Sequence, residues 1–116
     1  MKENEILKVT FHFAVSIIEF CELLETNKKY IIARQLLRSG TAIGANVREA
    51  QNSESKADFL HKLKIAAKEM EETEYWLLLC KESNSYPFDE NLLNQLQSIR
   101  KLLSAIISTL KKNLKS

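Results

Sequence analysis

Residues 92–110 read LLNQLQSIRKLLSAIISTL, and within them an apolar residue recurs at alternating intervals of four and three. The recurring residues are Leu92, Leu96, Ile99, Leu103, Ile106 and Leu110. Because this spacing keeps the apolar side chains on one side of a helix, they form a continuous seam that packs against neighbouring helices at a shallow angle. The stretch therefore predicts a long helix that belongs to a helical bundle.

Three further segments have helical periodicity, and short polar breaks separate all four. The predicted helices run from about Asn4 to Glu25, from about Lys29 to Gln51, from a cap at Ser55 to about Glu82, and from a cap at Asp89 to about Leu114. Asp58, three residues after Ser55, gives the third helix a weak form of the capping box. Helices of similar length with short connections lie antiparallel to their neighbours. We therefore predict an all-α, up-down-up-down antiparallel four-helix bundle that forms one domain over residues 1–116.

The composition limits the classes of protein to which the chain can belong. Of its 116 residues 45% are hydrophobic and 28% charged, a balance that is typical of a globular domain. Its net charge of +2 means that any nucleic-acid role depends on a local cluster of basic residues. Cys21 and Cys80 lack metal-ligand or redox spacing, which favours small buried thiols in a reducing compartment. No apolar run could cross a bilayer and the first residues lack a signal-peptide core, so we predict a cytoplasmic protein without a membrane partner.

The second predicted helix contains the only two glycines of the chain. At about 100° per residue, Gly40 and Gly44 lie on the same face as Leu36, Ile43 and Val47, and this face points into the bundle. Each glycine costs about 1 kcal/mol of helix propensity relative to alanine. Close approach by a neighbouring helix would compensate for that cost. The alternative is that the glycines are tolerated or mark a local kink.

The opposite side of the same helix carries three arginines. Arg34, Arg38 and Arg48 fall within an arc of roughly 80° that contains no acidic residue. Three interpretations are open: a solvated face, a basic stripe that binds phosphate, or one half of interhelical or intersubunit ion pairs. Lys64 and Lys68 of the third helix are candidates to extend a phosphate-binding surface.

A carboxylate falls on the apolar face of the third helix. Glu74 lies among the residues that point into the bundle, where an ionised group is costly unless it is paired or hydrogen-bonded. Either its position near the helix end lets it reach solvent, or an arginine from another helix or subunit meets it in a buried ion pair.

The first helix is more apolar than a small bundle requires. Its apolar residues cover roughly 200° of the helix, whereas a core-facing stripe needs little more than about 100°. Phe11 and Ile18, at the far edge of this arc, would be exposed in a monomer. We therefore predict an oligomer interface at these residues. The alternative is a deeply buried helix in an asymmetric monomer.

Catalytic and metal-binding patterns are absent from the sequence. A di-iron bundle needs inward carboxylates and a pair of Glu-x-x-His motifs, but His12 and His61 are the only histidines and neither completes such a motif. Glycine-rich phosphate loops and nucleophile motifs are also missing. We predict that the protein is not an enzyme and has no cofactor or metal.

Residues 34–79, RQLLRSGTAIGANVREAQNSESKADFLHKLKIAAKEMEETEYWLLL, resemble a known family. The specific part is the arginine-small-residue-Ile-x-x-Asn-Val core between Arg38 and Val47, followed by a Ser-x-x-Asp-Phe helix start at Ser55. This run is similar to the bacterial four-helix-bundle proteins encoded in intervening sequences of 23S rRNA genes, a family that includes the accessory variability determinant of diversity-generating retroelements. The resemblance implies a bundle assembled into a pentameric ring with a positively charged surface. It also implies, for retroelement members, association with a reverse transcriptase and RNA.

Two functional hypotheses follow. The first is an oligomeric accessory protein that places Arg34, Arg38 and Arg48, with Lys64 and Lys68, along the phosphates of RNA or beside a nucleic-acid-processing protein. The second is an oligomeric protein-interaction scaffold without a nucleic-acid role, in which the arginines form intersubunit ion pairs. Paired arginines would be removed from the surface of the assembly, whereas unpaired ones would form a basic patch.

Overall fold

The computed structural model of the chain describes the backbone of residues 2–115 and the side chains of residues 5–115. Four helices account for most of this part of the chain: α1 (Lys2–Thr26), α2 (Tyr30–Ala50), α3 (Lys56–Glu82) and α4 (Glu90–Lys115). Helix α1 packs against α2 and α4, and α3 packs against α2 and α4, whereas helices across a diagonal do not adjoin. The predicted all-α, antiparallel four-helix bundle is therefore confirmed, with helix ends within two residues of the predicted ones.

Side-chain caps define the starts of the last two helices. The Ser55 hydroxyl accepts a hydrogen bond from the Asp58 backbone N–H at 3.0 Å, and the Asp58 carboxylate in turn accepts one from the Glu54 N–H. The Asp89 carboxylate accepts from the Asn91 N–H at 3.0 Å at the beginning of α4. These bonds satisfy backbone donors that have no partner inside a helix. Ser55 and Asp89 therefore cap the two helices for which they were predicted.

The apolar seam of α4 lies in the core. Five of its six residues are buried and Leu110, near the end of α4, is half-buried. Helix α1 contributes a second buried seam with the same alternating spacing, formed by Ile6, Thr10, Phe13, Ile17, Phe20 and Leu24. The core also buries hydroxyl groups: Thr10 Oγ1 donates to the Ile6 carbonyl at 2.7 Å, and Thr73 Oγ1 lies 2.9 Å from Ser39 Oγ. Their hydroxyls are therefore satisfied within the bundle, as burial requires.

Candidate interaction surface

The two glycines of α2 lie directly against α1. A Cβ atom placed on Gly40 would lie 2.9 Å from both Cγ1 and Cγ2 of Ile17. A Cβ on Gly44 would lie 3.2 Å from the backbone oxygen of Thr10. Real Cβ atoms essentially never come within 3.0 Å of such neighbours, so Gly40 permits a spacing between α1 and α2 that a side chain would prevent.

On the other side of this contact, α1 presents apolar side chains to solvent. Phe11 is 57% exposed, Val15 41% and Ile18 44%, and the three lie on one side of the helix. We call these three residues the outer stripe of α1. A groove between α1 and α2 runs beside the stripe and is lined by Leu7, Phe11, Ala14, Thr41, Gly44, Ala45 and Arg48. Neither Phe11 nor Ile18 is covered by another part of the described chain, so α1 is not the deeply buried helix of the alternative interpretation.

Arg38 is engaged by α3. Its guanidinium pairs with Glu69, at 3.2 Å, and with Glu72, and Trp76 Nε1 donates to the same Glu72 carboxylate at 3.0 Å. The hydrogen bond from Arg38 and then that from Trp76 hold the pKa of Glu72 below its usual value. The hydrogen bond to Glu72 likewise raises the pKa of Arg38. Arg38 thus belongs to an interhelical network and is not a free cation.

The other two arginines of the predicted arc have different surroundings. Among residues 5–115, Arg34 and Arg48 take part in no ion pair. Both are exposed, and Arg48 lines the α1–α2 groove next to Leu7 and Phe11. The arginines that were predicted to share one face of α2 therefore have different neighbours, with Arg38 turned to α3 and Arg48 turned to α1.

Lys64 and Lys68 lie on another side of the bundle. Both are exposed on α3, and α3 does not adjoin α1. After the hydrogen bonds from Arg38 and Trp76, the charge of Lys68 also lowers the pKa of Glu72, so Lys68 lies near the Arg38 network. Arg48 is turned to α1, so the two lysines of α3 lie apart from it.

Glu74 meets an arginine of α4. Arg100 Nη2 lies 3.0 Å from one oxygen of Glu74, and Gln97 Nε2 donates to the other oxygen at 3.0 Å. The Glu74 side chain is 25% exposed, so the pair is at the edge of the core and not fully buried. Hydrogen bonding to Glu71, followed by the charges of Glu71 and Glu74, raises the pKa of Arg100.

The acidic run of α3 is thereby shared between two neighbouring helices. Glu69 and Glu72 face Arg38 of α2, while Glu71 and Glu74 face Arg100 of α4. Arg100 is not among the residues predicted from the sequence. One signal was present: Arg100 directly follows Ile99 of the α4 seam, a flanking position at which interhelical ion pairs are common.

The described part of the chain has neither a cluster of metal ligands nor an exposed thiol. Residues 5–115 contain no group of three His, Cys, Asp or Glu side chains placed to hold a metal ion. Cys21 and Cys80 are free and buried, and burial raises the pKa of Cys21 to about 12 and that of Cys80 to about 11. Thiols of this kind are poor nucleophiles at neutral pH. None of the described helices combines the length and the apolar character that a bilayer crossing requires.

The fold and this surface define a class: a small antiparallel four-helix bundle with an exposed apolar stripe. Residues 2–105 match the model of the 23S rRNA-intervening sequence protein family, and the chain belongs to that family. It is also similar to a Bacteroides thetaiotaomicron protein with unknown function from the S23 ribosomal protein family, whose crystal structure has been determined. The two share 42% sequence identity over 93% of this chain and 99% of the other, with a TM-score of 0.88. A comparison with curated proteins yields no match.

Proposed function

We propose that the protein is a non-enzymatic scaffold that associates with copies of itself through the outer stripe of α1. The exposure of Phe11, Val15 and Ile18 carries this proposal. Three large apolar side chains on one side of a helix form a contiguous patch with the groove beside them, and such patches mark interaction sites. Burying them in a partner recovers roughly 25 cal/mol for each Å² of apolar surface removed from water.

The size of the assembly is a separate part of the proposal. The resemblance to proteins encoded in 23S rRNA intervening sequences favours a homo-oligomer of five subunits in a ring. Such a ring joins two unlike surfaces of neighbouring subunits, because a cyclic assembly with more than two members is built from heterologous contacts.

A nucleic-acid role is the second candidate function, and Arg34 and Arg48 favour it. Neither cation is neutralised within residues 5–115, and both are exposed. The position of Arg38 weakens this candidate, because two carboxylates compete with phosphate for its guanidinium. In this role the partner would be RNA or a nucleic-acid-processing protein.

Sedimentation equilibrium tests self-association. The wild-type protein should have a mass that is a multiple of 13.4 kDa at micromolar concentration. Phe11→Asp and Ile18→Asp should each shift it toward monomer without loss of helical circular dichroism, because both side chains are exposed in the single chain. Ile31→Asp is the matched control, since Ile31 is 76% exposed on α2 but lies outside the stripe. A monomeric wild type would overturn the proposal.

A further inference from the structure

A second exposed apolar cluster lies on the C-terminal half of α3. Tyr75, Leu78 and Leu79 are exposed, and their spacing of three and four residues places them on one side of the helix. Trp76 is half-buried beside them and packs edge-on against Tyr75, with 5.3 Å between the ring centroids. Because Trp76 also donates to the Glu72 carboxylate, its ring is held in place before any partner binds. We call Tyr75, Trp76, Leu78 and Leu79 the α3 patch.

Ile31 of α2 extends the α3 patch across the boundary between the two helices. Arg38 of α2 contacts Glu72 of α3 at this boundary. In antiparallel helices, a step of seven residues back along α2 matches a step of seven residues forward along α3. This step leads from Arg38 to Ile31 and from Glu72 to Leu79, and both apolar residues are exposed. The two helices therefore share one apolar surface, on a side of the bundle that α1 does not adjoin through α3.

The surroundings of the α3 patch carry an excess of negative charge. Arg38 and Arg100 each pair with two carboxylates of α3, so each of these groups keeps one negative charge that its arginine does not balance. Glu82, seven residues after Tyr75, is exposed and takes part in no ion pair within residues 5–115. Lys68, seven residues before Tyr75, offsets part of this charge. Such a surface repels phosphate groups and complements a basic partner.

We propose that the α3 patch and Ile31 bind an amphipathic helix of another protein, with lysine or arginine residues along the edge that lies over α3. The groove between two packed helices accepts a third helix whose apolar side chains recur at intervals of three and four residues. Tyrosine and tryptophan are enriched at the energetic centre of such contacts. On the α2 side the exposed Arg34 follows Ile31 by one turn, so the basic residues of the partner belong on the α3 edge alone. This inference goes beyond self-association and does not depend on it.

A second copy of the chain fits this surface less well than a basic helix does. The apolar face that a second copy would offer is the outer stripe of α1, where Glu19 and Glu22 are exposed next to Ile18. These carboxylates would lie against those of α3, and facing like charges disfavour a contact.

Trp76 makes a direct test possible, because it is the only tryptophan of the chain and lies in the α3 patch. The probe is a synthetic helical peptide of about five turns without tryptophan, with leucine on one face and lysine on the other. A matched peptide has glutamate in place of every lysine. Micromolar lysine peptide should change the fluorescence of Trp76, and the glutamate peptide should not. Absence of binding by the lysine peptide, or equal binding of both peptides, would overturn the inference.

Variants with matched controls locate the bound peptide. Tyr75→Ser and Leu79→Ser should each weaken binding of the lysine peptide by about tenfold or more, whereas Leu23→Ser, at an exposed leucine of α1, should not. Glu82→Gln should weaken binding by about threefold, since it removes one charge at the rim of the surface. Its control is Glu49→Gln, at an exposed carboxylate near the other end of α2. Unchanged affinity in both Tyr75→Ser and Leu79→Ser would also overturn the inference.

Sedimentation of the same variants separates this surface from the outer stripe of α1. Ile31→Ser should weaken binding of the lysine peptide and leave self-association unchanged, whereas Ile18→Asp should do the reverse. Loss of self-association in Tyr75→Ser or Leu79→Ser would show that a second copy covers the α3 patch and would overturn this inference. A monomeric wild type that binds the lysine peptide would overturn the proposed self-association alone.

Discussion

Gly40 of α2 and Ile17 of α1 meet so closely that a β-carbon on Gly40 would lie 2.9 Å from both Cγ atoms of Ile17. Ile17 is fully buried and its Cγ atoms branch from Cβ, so they cannot swing away as the tip of a long side chain could. The spacing of α1 and α2, and with it the shape of the groove beside the outer stripe, therefore depends on the missing side chain at Gly40.

Substitution of Gly40 should destabilise the bundle even though glycine is a poor helix former. Helix propensity alone predicts that Gly40→Ala raises the free energy of unfolding by about 1 kcal/mol. Overpacking typically costs about 1–3 kcal/mol, so we expect a net loss of about 1 kcal/mol for alanine and a larger loss for leucine. Urea unfolding measures both. Gly44→Ala is the control, because its Cβ would meet Thr10 at 3.2 Å and should change stability less.

A double-mutant cycle identifies the contact that is responsible. Ile17→Ala alone should cost about 2–5 kcal/mol through the cavity it leaves. In that background Gly40→Ala should be neutral or stabilising, because the Cγ atoms that it would meet are absent. Equal effects of Gly40→Ala in both backgrounds would show that Ile17 does not limit the spacing.

The network at Arg38 should make stability depend on pH. The pKa of Glu72 is lowered from its ordinary value of 4.5, so its ionised form is favoured in the folded state. This contribution is present above about pH 4.5 and is lost as the pH falls through the lower pKa of the folded state. Because the Glu72 side chain is 36% exposed, screening limits the effect to about 1 kcal/mol or less.

Thermal unfolding between pH 6 and pH 3 tests this network. The wild type should be more stable than Glu72→Gln at pH 6, and the difference should shrink toward pH 3. Glu49→Gln provides the control, since Glu49 is exposed on α2 and belongs to no ion pair within residues 5–115. A constant difference over the whole pH range would contradict a role for the Glu72 charge.

Arg100 should contribute more to stability than Arg38. Its side chain is 28% exposed, against 51% for Arg38, and its partner Glu74 lies at the edge of the core. Removing the arginine leaves a partly desolvated carboxylate with only Gln97 as a donor, so we expect Arg100→Gln to cost about 1–3 kcal/mol. Arg38→Gln should cost about 1 kcal/mol or less, because the arginine is half exposed and Glu72 keeps the hydrogen bond from Trp76, so that Glu69 is the one carboxylate that loses its pair. Chemical denaturation of the two variants in parallel measures both losses of unfolding free energy. An equal loss, or a larger loss for Arg38→Gln, would contradict this prediction.

These contacts show which features could be predicted from the sequence. The helices follow from local periodicity, and the seam of α4 is buried as its spacing indicates. Glu74 could be recognised as a carboxylate in need of a partner, because its position on the apolar face is a local property. Arg100 could be recognised only as a residue that flanks the α4 seam; its pairing with Glu74 could not be predicted, since it depends on how far α3 and α4 are shifted along each other. The pairing of Arg38 with Glu69 and Glu72 could not be predicted for the same reason, because it depends on how α2 and α3 are placed along each other.

The last prediction concerns binding to nucleic acid, and variants of the other basic residues serve as its controls. Binding through phosphates releases counterions, so affinity for a single-stranded RNA should fall with salt by a slope of about 0.7 for each contact. If the two unpaired arginines of α2 bind RNA, Arg34→Gln/Arg48→Gln should flatten this slope.

The matched variants separate the sides of the bundle. Lys64→Gln/Lys68→Gln removes the same charge from α3, which does not adjoin α1, and should leave the slope nearly unchanged, as should Arg38→Gln, whose guanidinium two carboxylates already hold. Fluorescence titrations at two salt concentrations, with sedimentation of each variant alongside, measure slope and assembly together. A wild type without salt-dependent affinity would exclude the nucleic-acid candidate and leave the scaffold. Equal losses from both double variants would instead indicate a diffuse attraction, because a defined site at Arg34 and Arg48 cannot respond equally to charges on α3.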